Sequence, residues 1–391
     1  MLAIIYTHKK NSYYYKNIID RRVIDYLVLN LKKMNINNII LASNYEIRSS
    51  YDINYAKTNE LDFNNINDSH VIFISMDSLL FDDIILKKMV NYFLDNNKRI
   101  IKDKAKKIYI VDKNILNKEN LNIDLYLNYL FTTTKKKQKK ELKLEILSID
   151  NIKSNNDFLL LEADLKNKII LEHINNGTYI ENPSSVTIGI DVKIADNASI
   201  LSGSKIIGTS HIGNEAIIGP NSFIMDSKIY NNAYVMESKI TDSIIGDNAY
   251  IGPYSQIRNE SVIGSNVRIG NFVEVKKSII GDNTKVSHLA YIGDADIGKN
   301  VNFGCGAITV NYNGKTKNKT IIEDNAFIGC NTNLIAPITI SKRTFIAAGS
   351  TITSSTNPND FAISRAIETI KNNYSQKYIG NWYELFWNRW Y

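Results

Sequence analysis

Residues 187–224 read TIGIDVKIADNASILSGSKIIGTSHIGNEAIIGPNSFI, and an isoleucine returns at every sixth position from Ile188 to Ile224. A small or β-branched residue stands four places after most of these isoleucines. A six-residue period fits neither an α-helix, at about 3.6 residues per turn, nor a lone strand, at about two. It is typical of a parallel β-helix, in which each hexapeptide forms a short strand followed by a turn.

The same period continues through the C-terminal half of the chain, from Ile245 to Val275 and from Ile322 to Ile352. Three hexapeptides would close one triangular coil, and the stacked aliphatic residues would form a continuous core that no single coil could bury. The glycine and asparagine of IGDN, at 245–248 and 280–283, are expected at turns with a left-handed backbone. We therefore predict a left-handed parallel β-helix of hexapeptide repeats.

The period is interrupted in two places. Five-residue steps between Ile229 and Ile245 indicate shortened faces of the prism. Between Thr309 and Ile322 the period is lost in VNYNGKTKNKT (310–320), which predicts a loop that leaves the prism. Loops that leave a regular scaffold are where binding and catalysis concentrate, so this loop is a candidate part of a functional site.

The first 157 residues alternate between strand-like and helix-like segments. The predicted strands lie at 1–5, 36–43, 69–76 and 106–112, and the predicted helices at 21–35 and 81–96. Such alternation is typical of an α/β domain with a mainly parallel sheet. We expect a linker helix over 158–175, the β-helix over 176–365 and an aromatic tail over 366–391, whose simplest role is to cap the prism.

The composition of the 391-residue chain argues against several classes of protein. The net charge of +7 is spread out, and the one dense lysine-rich run, 135–140, lacks the interleaved aromatic residues of a nucleic-acid surface. No apolar run is long enough for a membrane helix. The two cysteines form no CxxC pair, and the five histidines show no metal-ligand spacing. These features predict a cytoplasmic protein that neither binds nucleic acid nor enters a membrane.

Three stretches carry a family resemblance: IGNFVEVKKSIIG (269–281), HLAYIGDADIGKNVNFGCGAITVNYNGKTKNKT (288–320) and IAAGSTIT (346–353). They resemble the acetyltransferase domain of the bifunctional GlmU family. In that family the β-helix transfers an acetyl group from acetyl-CoA to glucosamine 1-phosphate. The N-terminal domain then adds a uridylyl group from UTP, which gives UDP-N-acetylglucosamine for peptidoglycan and lipopolysaccharide. The resemblance also implies a homotrimer, with active sites between neighbouring β-helices.

The resemblance implies roles for individual residues. His288 matches the catalytic base, and Glu274 matches the carboxylate that orients it. The positions that hold the sugar phosphate are Arg258, Lys276, Tyr291, Asn302 and Lys317. The positions that line the acetyl-CoA site are Cys305, Asn311, Tyr312, Cys330, Ala348 and Arg365. The chemistry agrees, because amide formation needs a neutral amine and hence a base near neutral pH, while a phosphate needs cationic partners.

The N-terminal part departs from the family. No glycine occurs before Gly177, so the glycine-rich loop that would hold a nucleotide's phosphates is missing. Asp77 in FISMDSLL (73–80) and Asn155 in SNNDF (154–158) resemble the family's two metal ligands, although a surface Asp and Asn explain them equally well. We expect uridylyl transfer to be lost or severely weakened, which leaves a scaffold domain, and Mg²⁺ to matter only if this domain is active.

Three other functions remain open from the sequence. The first is a bifunctional enzyme with a still active uridyltransferase domain. The second is a non-catalytic β-helix that serves as a trimeric scaffold. The third is an acyltransferase that acts on another amino sugar. The intact sugar-phosphate positions and the NYNGKTK segment (311–317) favour the acetyltransferase over the last two.

Overall fold

The computed structural model describes residues 1–58, 60–63, 66–79, 84–116, 122–144, 147–148 and 152–379. The chain divides into two compact units. The first unit comprises 1–192 together with 205–209, and the second comprises 193–204 together with the chain from 210 onward. Among the described residues, no helix combines the length and the apolar character needed to cross a membrane. Residues 380–391 of the aromatic tail lie outside the described residues.

The first unit contains a seven-stranded sheet. Its strands, in spatial order, are Lys139–Leu142, Ile100–Asp103, Ile108–Asp112, His70–Ser75, Leu2–Thr7, Ile39–Ser43 and Asn54–Ala56. Only the pairs made by Ile108–Asp112 are antiparallel. The predicted mainly parallel sheet is therefore confirmed. The interior strand Leu2–Thr7 is buried along its whole length, as expected of an apolar strand covered on both faces.

Helices accompany this sheet. The α-helices of the first unit are Val23–Lys33, Ile84–Asp95, Ile123–Thr133 and Asn155–Asn175. Among the described residues, 3-10 helices lie at Ser12–Tyr15, Lys113–Ile115, Lys136–Gln138 and Pro183–Ser185. The remaining short strands are Asn17–Ile18, Arg21–Arg22, Ser78–Leu79, Leu147–Ser148, Tyr179–Ile180, Thr187–Ile188 and Lys205–Ile207. The last long helix starts at a capping box, because the Ser154 and Asp157 side chains each accept a hydrogen bond from the other's backbone N–H.

The second unit is the predicted left-handed parallel β-helix, with three parallel sheets as the faces of its prism. The strands of the first face are Ser199–Ile200, Ile217–Ile218, Tyr234–Val235, Tyr250–Ile251, Arg268–Asn271, Lys285–His288, Asn302–Phe303, Phe327–Ile328, Phe345–Ile346 and Phe361–Ala362. Those of the second face are Phe223–Met225, Lys239–Thr241, Gln256–Arg258, Glu274–Lys276, Tyr291–Gly293, Ile308–Val310, Asn333–Ile335 and Thr351–Ile352.

The third face and one terminal helix complete this unit. The strands of the third face are Lys193–Ile194, His211–Ile212, Lys228–Ile229, Ile244–Ile245, Val262–Ile263, Ile279–Ile280, Ala295–Ile297, Thr320–Ile322 and Ile338–Ile340. A short helix, Gln376–Ile379, follows the β-helix. The predicted loop occupies 311–319, between a strand of the second face and a strand of the third.

The periodic residues form the core of the prism. Every aliphatic residue of the three predicted runs is buried, apart from Ile194, which is half-buried. The small residues four places later are buried as well, and several of their hydroxyls donate to backbone carbonyls, as Ser261 does to Arg258 at 2.7 Å. Burial of a hydroxyl is tolerated because it has a hydrogen-bond partner.

At the turns of the prism, asparagine and glycine have different roles, although a left-handed backbone is predicted for both. In the two IGDN segments only the asparagines are left-handed, with φ of +56° at Asn248 and +60° at Asn283. The glycines are needed for close stacking instead. A Cβ at Gly246 would lie 2.6 Å from the carbonyl carbon of Gly264 in the next coil. The prediction of a left-handed turn is thus confirmed for asparagine and wrong for these glycines.

Candidate active site

The outer side of the second face carries charged and polar side chains in consecutive coils. The strand register places Glu274 beside Tyr291, and Arg258 beside Lys276. All four lie on strands whose alternate residues point into the prism, so their own side chains point outward. The structure therefore brings four of the predicted site residues together on one wall.

Glu274 is held by Arg258. Its Oε1 accepts hydrogen bonds from Nε of Arg258 at 2.9 Å and from Nη2 at 2.6 Å. A third guanidinium nitrogen, Nη1, donates to Oδ1 of Asn259 at 2.9 Å. The ion pair fixes the planar guanidinium against the wall and leaves the second carboxylate oxygen of Glu274 available.

His288 has a different partner from the one that the family resemblance implies. Its exposed ring stands at the end of the strand Lys285–His288, and Nδ1 lies 2.9 Å from Oδ1 of Asn271 in the preceding coil. Because an amide oxygen can only accept, Nδ1 is the donor in this contact, and Nε2 is the nitrogen that has the lone pair in the neutral imidazole. Within the described residues, His288 and Glu274 share no hydrogen bond.

Asn271 is a candidate functional residue that the sequence analysis did not single out. It lies inside the quoted stretch 269–281 and stands 17 residues before His288, which is one coil of the β-helix. That separation is the signal that could have identified it. Its neighbour Phe272 and the residue after the histidine, Leu289, have φ of +57° and +45°. Bulky residues rarely adopt this backbone conformation, which the tight turns of the prism impose at many other positions as well.

The loop 311–319 packs against the same wall. Asn311 is buried, and its Nδ2 donates to Oδ2 of Asp294 at 2.6 Å and approaches the hydroxyl of Tyr291 at 3.5 Å. Gly293 makes room for this arrangement, because a Cβ there would lie 2.7 Å from Cζ of Tyr291 and 2.8 Å from Nδ2 of Asn311. Tyr312 is exposed, and its hydroxyl donates to the carbonyl of Gly314 at 2.8 Å.

The loop also brings Lys317 to Lys276. The adjacent Lys276 ammonium lowers the pKa of Lys317, and Asp294 only partly opposes this effect. Two neighbouring ammonium groups repel each other unless an anion lies between them. Two like charges held together beside Arg258 are the arrangement expected of a phosphate site.

We expect Lys276→Met to raise the pKa of Lys317, because the substitution removes the positive charge that lowers it. NMR titration of the labelled Lys317 side chain measures this change. Lys315→Met, in the same loop, is the matched control and should leave the pKa of Lys317 where it is. An unchanged value in Lys276→Met would mean that the two ammonium groups do not meet in solution.

The predicted acetyl-CoA positions lie mostly along the edge between the first and second faces. Strand register places Cys305 one coil after His288 and Cys330 one coil further, with Ala348 next. Nη1 of Arg365 donates to the carbonyl oxygen of Ala348 at 3.2 Å. We call the residues His288, Cys305, Cys330 and Ala348 the edge column.

The remaining predicted positions lie away from the edge column. Asn302, predicted to bind the sugar phosphate, is exposed on the first face, in register with Lys285 and Phe327. The structure places Asn311 and Tyr312 at the opposite side of the second face, in the loop 311–319. Asn311 thus contacts Tyr291, a predicted sugar-phosphate residue, rather than the edge column.

The two possible metal ligands of the first unit have separate cationic partners. Asp77 is buried, accepts a hydrogen bond from the Tyr14 hydroxyl at 2.6 Å and pairs with Lys107 at 3.3 Å. Asn155 accepts a hydrogen bond from Lys16 at 2.7 Å. A divalent cation would have to displace ammonium groups at both residues, and no cluster of three His, Cys, Asp or Glu occurs among the described residues. These residues therefore do not fit a Mg²⁺ site.

Comparison with known proteins agrees with the fold and with the motifs. The family model of the GMPPB C-terminal domain matches residues 187–271. A bifunctional GlmU protein of Clostridium beijerinckii is 51% identical over 219 residues, which cover 56% of this chain and 48% of that protein. The GlmU protein of Clostridium kluyveri is 43% identical over 260 residues, which cover 66% of this chain and 57% of that protein.

A solved UDP-N-acetylglucosamine acyltransferase of Francisella novicida aligns with a TM-score of 0.29 at 22% identity, over 44% of this chain and 62% of that one. This chain spans about half the length of the curated relatives that it matches. The identity to those relatives, at 43–51%, extends over more than half of the chain. The resemblance that the motifs indicate is therefore confirmed: over this part of its length, the chain is similar to the bifunctional GlmU proteins.

Proposed function

We propose that the β-helix transfers an acetyl group from acetyl-CoA to the amine of glucosamine 1-phosphate. The observation that supports this proposal is the placement of a base candidate and of cations at the two edges of the second face. The base candidate His288 stands at one edge of it, and the cations Lys276 and Lys317 stand at the other. A small phosphorylated amino sugar bound along that face would have its phosphate among cations and its amine toward the imidazole.

The chemistry follows from the orientation of His288. Its free Nε2 takes a proton from the substrate ammonium, and the nitrogen lone pair then attacks the thioester carbonyl. A C–N bond forms and the C–S bond breaks. The departing thiolate takes up the proton that the imidazolium releases, and the second proton that the nitrogen loses on forming the amide passes to solvent. No covalent bond to the protein is needed. Asn271 keeps the hydrogen on Nδ1 throughout, and this makes it a positioning residue for the base.

Release of coenzyme A from acetyl-CoA tests the proposal. We expect turnover with glucosamine 1-phosphate, and a KM about 100-fold higher or more for glucosamine, because the unphosphorylated sugar leaves the cations without a partner. No turnover with either sugar would refute the proposal. Turnover only with a nucleotide-linked or lipid-linked amino sugar would favour the alternative acyltransferase.

For the first unit we expect no formation of UDP-N-acetylglucosamine from UTP and N-acetylglucosamine 1-phosphate, even with added Mg²⁺. The chain offers no glycine-rich phosphate loop, and Asp77 is occupied by Tyr14 and Lys107. Product analysis of the purified full chain by chromatography measures this activity. Steady formation of the nucleotide sugar would instead support the bifunctional alternative.

We further propose that the chain assembles as a homotrimer in the cytoplasm. Three exposed apolar residues at the edge of the prism, Tyr254, Phe272 and Leu289, support assembly. They stand in successive coils beside Asn271 and His288, and the first two rings stack at 5.6 Å. An exposed apolar ridge of this kind is typical of an interface. Sedimentation velocity of the full chain tests the assembly, and a monomer at all concentrations would contradict it.

A further inference from the structure

The two cysteines of the chain are neighbours in the edge column. They are 25 residues apart in the sequence, because the loop 311–319 lengthens the coil that separates them. Backbone hydrogen bonds hold their coils in register on both sides. The N–H of Gly304 donates to Ile328 at 2.8 Å, and the N–H of Asn331 donates to Cys305 at 2.7 Å.

This register brings the two thiols within bridging reach. Neighbouring strands of a sheet lie about 4.8 Å apart, and the Cα atoms of a disulfide are about 4.4–6.8 Å apart. Both cysteines stand two residues after a buried core residue, Phe303 or Ile328, so they occupy equivalent places on the edge. Cys330 is exposed and Cys305 is partly exposed, and both thiols are free in this structure.

We propose that Cys305 and Cys330 form a modification site for low-molecular-weight disulfides, at which the two thiols close to an intramolecular disulfide. The more exposed Cys330 attacks first as a thiolate. It forms a mixed disulfide with one half of the reagent and releases the other half as a thiol. The Cys305 thiolate then attacks the Cys330 sulfur and releases the second half. In balance, two protein thiols become one disulfide, and one small disulfide becomes two small thiols.

The disulfide is also expected to affect acetyl transfer at the edge column, and this second inference rests on the proposed function. Cys305 follows His288 in the column, since Val286 pairs with Phe303. A disulfide turns the Cys305 and Cys330 side chains toward each other, which displaces a thioester that has to meet the imidazole beside them. A displacement of about 1 Å is enough to slow a reaction about 100-fold. The disulfide should therefore switch acetyl transfer off reversibly.

The test treats the reduced full chain with oxidised glutathione and counts the thiols. The chain has only two cysteines, so the count has a single interpretation. We expect wild type to lose both thiols without gaining the mass of glutathione, and peptide mass spectrometry to find Cys305 joined to Cys330 within one chain. Dithiothreitol should restore both thiols. Acetyl transfer should fall about 100-fold and return with the thiols.

Cys305→Ala and Cys330→Ser are the matched variants, and each is compared with its own reduced form. Cys305→Ala has no second thiol to displace glutathione, so its reaction should stop at a glutathione adduct on Cys330. An adduct on wild-type Cys330 with Cys305 still free, a disulfide between two chains, or two unreacted thiols would each overturn the proposal. The thiol count tests the proposed modification site even if the chain proves to have no acetyltransferase activity. Full activity in the bridged form would overturn the switch alone.

Discussion

His288→Ala is expected to lower kcat for acetyl transfer to glucosamine 1-phosphate by about 1000-fold, the effect of removing a general base. Nε2 of His288 is the nitrogen that the hydrogen bond to Asn271 leaves unprotonated, so alanine leaves the substrate ammonium without its acceptor. Because the ring is exposed, its loss should leave the fold intact. Release of coenzyme A measures the rate, and thermal unfolding checks the fold.

Two variants of Asn271 test whether its hydrogen bond to His288 matters for the base. Asn271→Leu removes the acceptor of the Nδ1 hydrogen and should lower kcat while leaving KM for the sugar phosphate nearly unchanged. Asn271→Asp puts a carboxylate beside the ring, which favours the protonated imidazole and should move the acidic limb of the rate profile to higher pH. Full turnover of His288→Ala would refute the catalytic role. An effect of Glu274→Gln on that limb, without one of Asn271→Asp, would make Glu274 the partner of the base.

Gly270→Ala is expected to lower the free energy of unfolding by about 3 kcal/mol, the upper range for overpacking a core. A Cβ at this position would overlap the carbonyl oxygen of Ser287 and lie 2.9 Å from its Cα. Both atoms belong to the backbone, so no side chain can rotate away. The strands that carry Asn271 and His288 must therefore separate, and acetyl transfer should fall with stability. Denaturation in urea measures the loss.

Gly314→Ala is the control for this substitution. It adds the same methyl group in the loop 311–319, where no atom lies within 4 Å. Its φ of +91° makes alanine strained there, at a cost of about 1 kcal/mol that stays local to the loop. A Gly270→Ala protein as stable as Gly314→Ala would show that the coils have more room than the structure indicates.

The architecture was predictable wherever the chain repeats a pattern. The buried run from Ile188 to Ile224 specifies the prism, since a six-residue period has no other regular interpretation. The prediction of the first unit was less complete. The helix Ile123–Thr133 was missed because its apolar residues are mixed with exposed ones such as Leu125 and Tyr129. The edge strand Lys139–Leu142 was missed because lysines at a sheet edge have no alternating apolar pattern.

The candidate site was predictable as a set of residue types and only partly as a set of contacts. The motifs indicated His288 and Glu274 as partners, whereas the structure pairs the first with Asn271 and the second with Arg258. Side chains on successive coils become neighbours at separations near 17 residues. A shift of a few residues along the edge changes the partner, and residue type alone does not reveal that shift.

By itself, the sequence determined the β-helix, the family resemblance and the absence of a glycine-rich phosphate loop, because these depend on periodicity and on local residue types. The tertiary structure alone decided which groups meet. It placed Lys317 against Lys276 and Cys305 beside Cys330, in each case across the loop 311–319 or its flanking coils. The physical reason is that coil register brings together residues that the chain keeps far apart. An inserted loop lengthens that separation without altering the stacking of the coils.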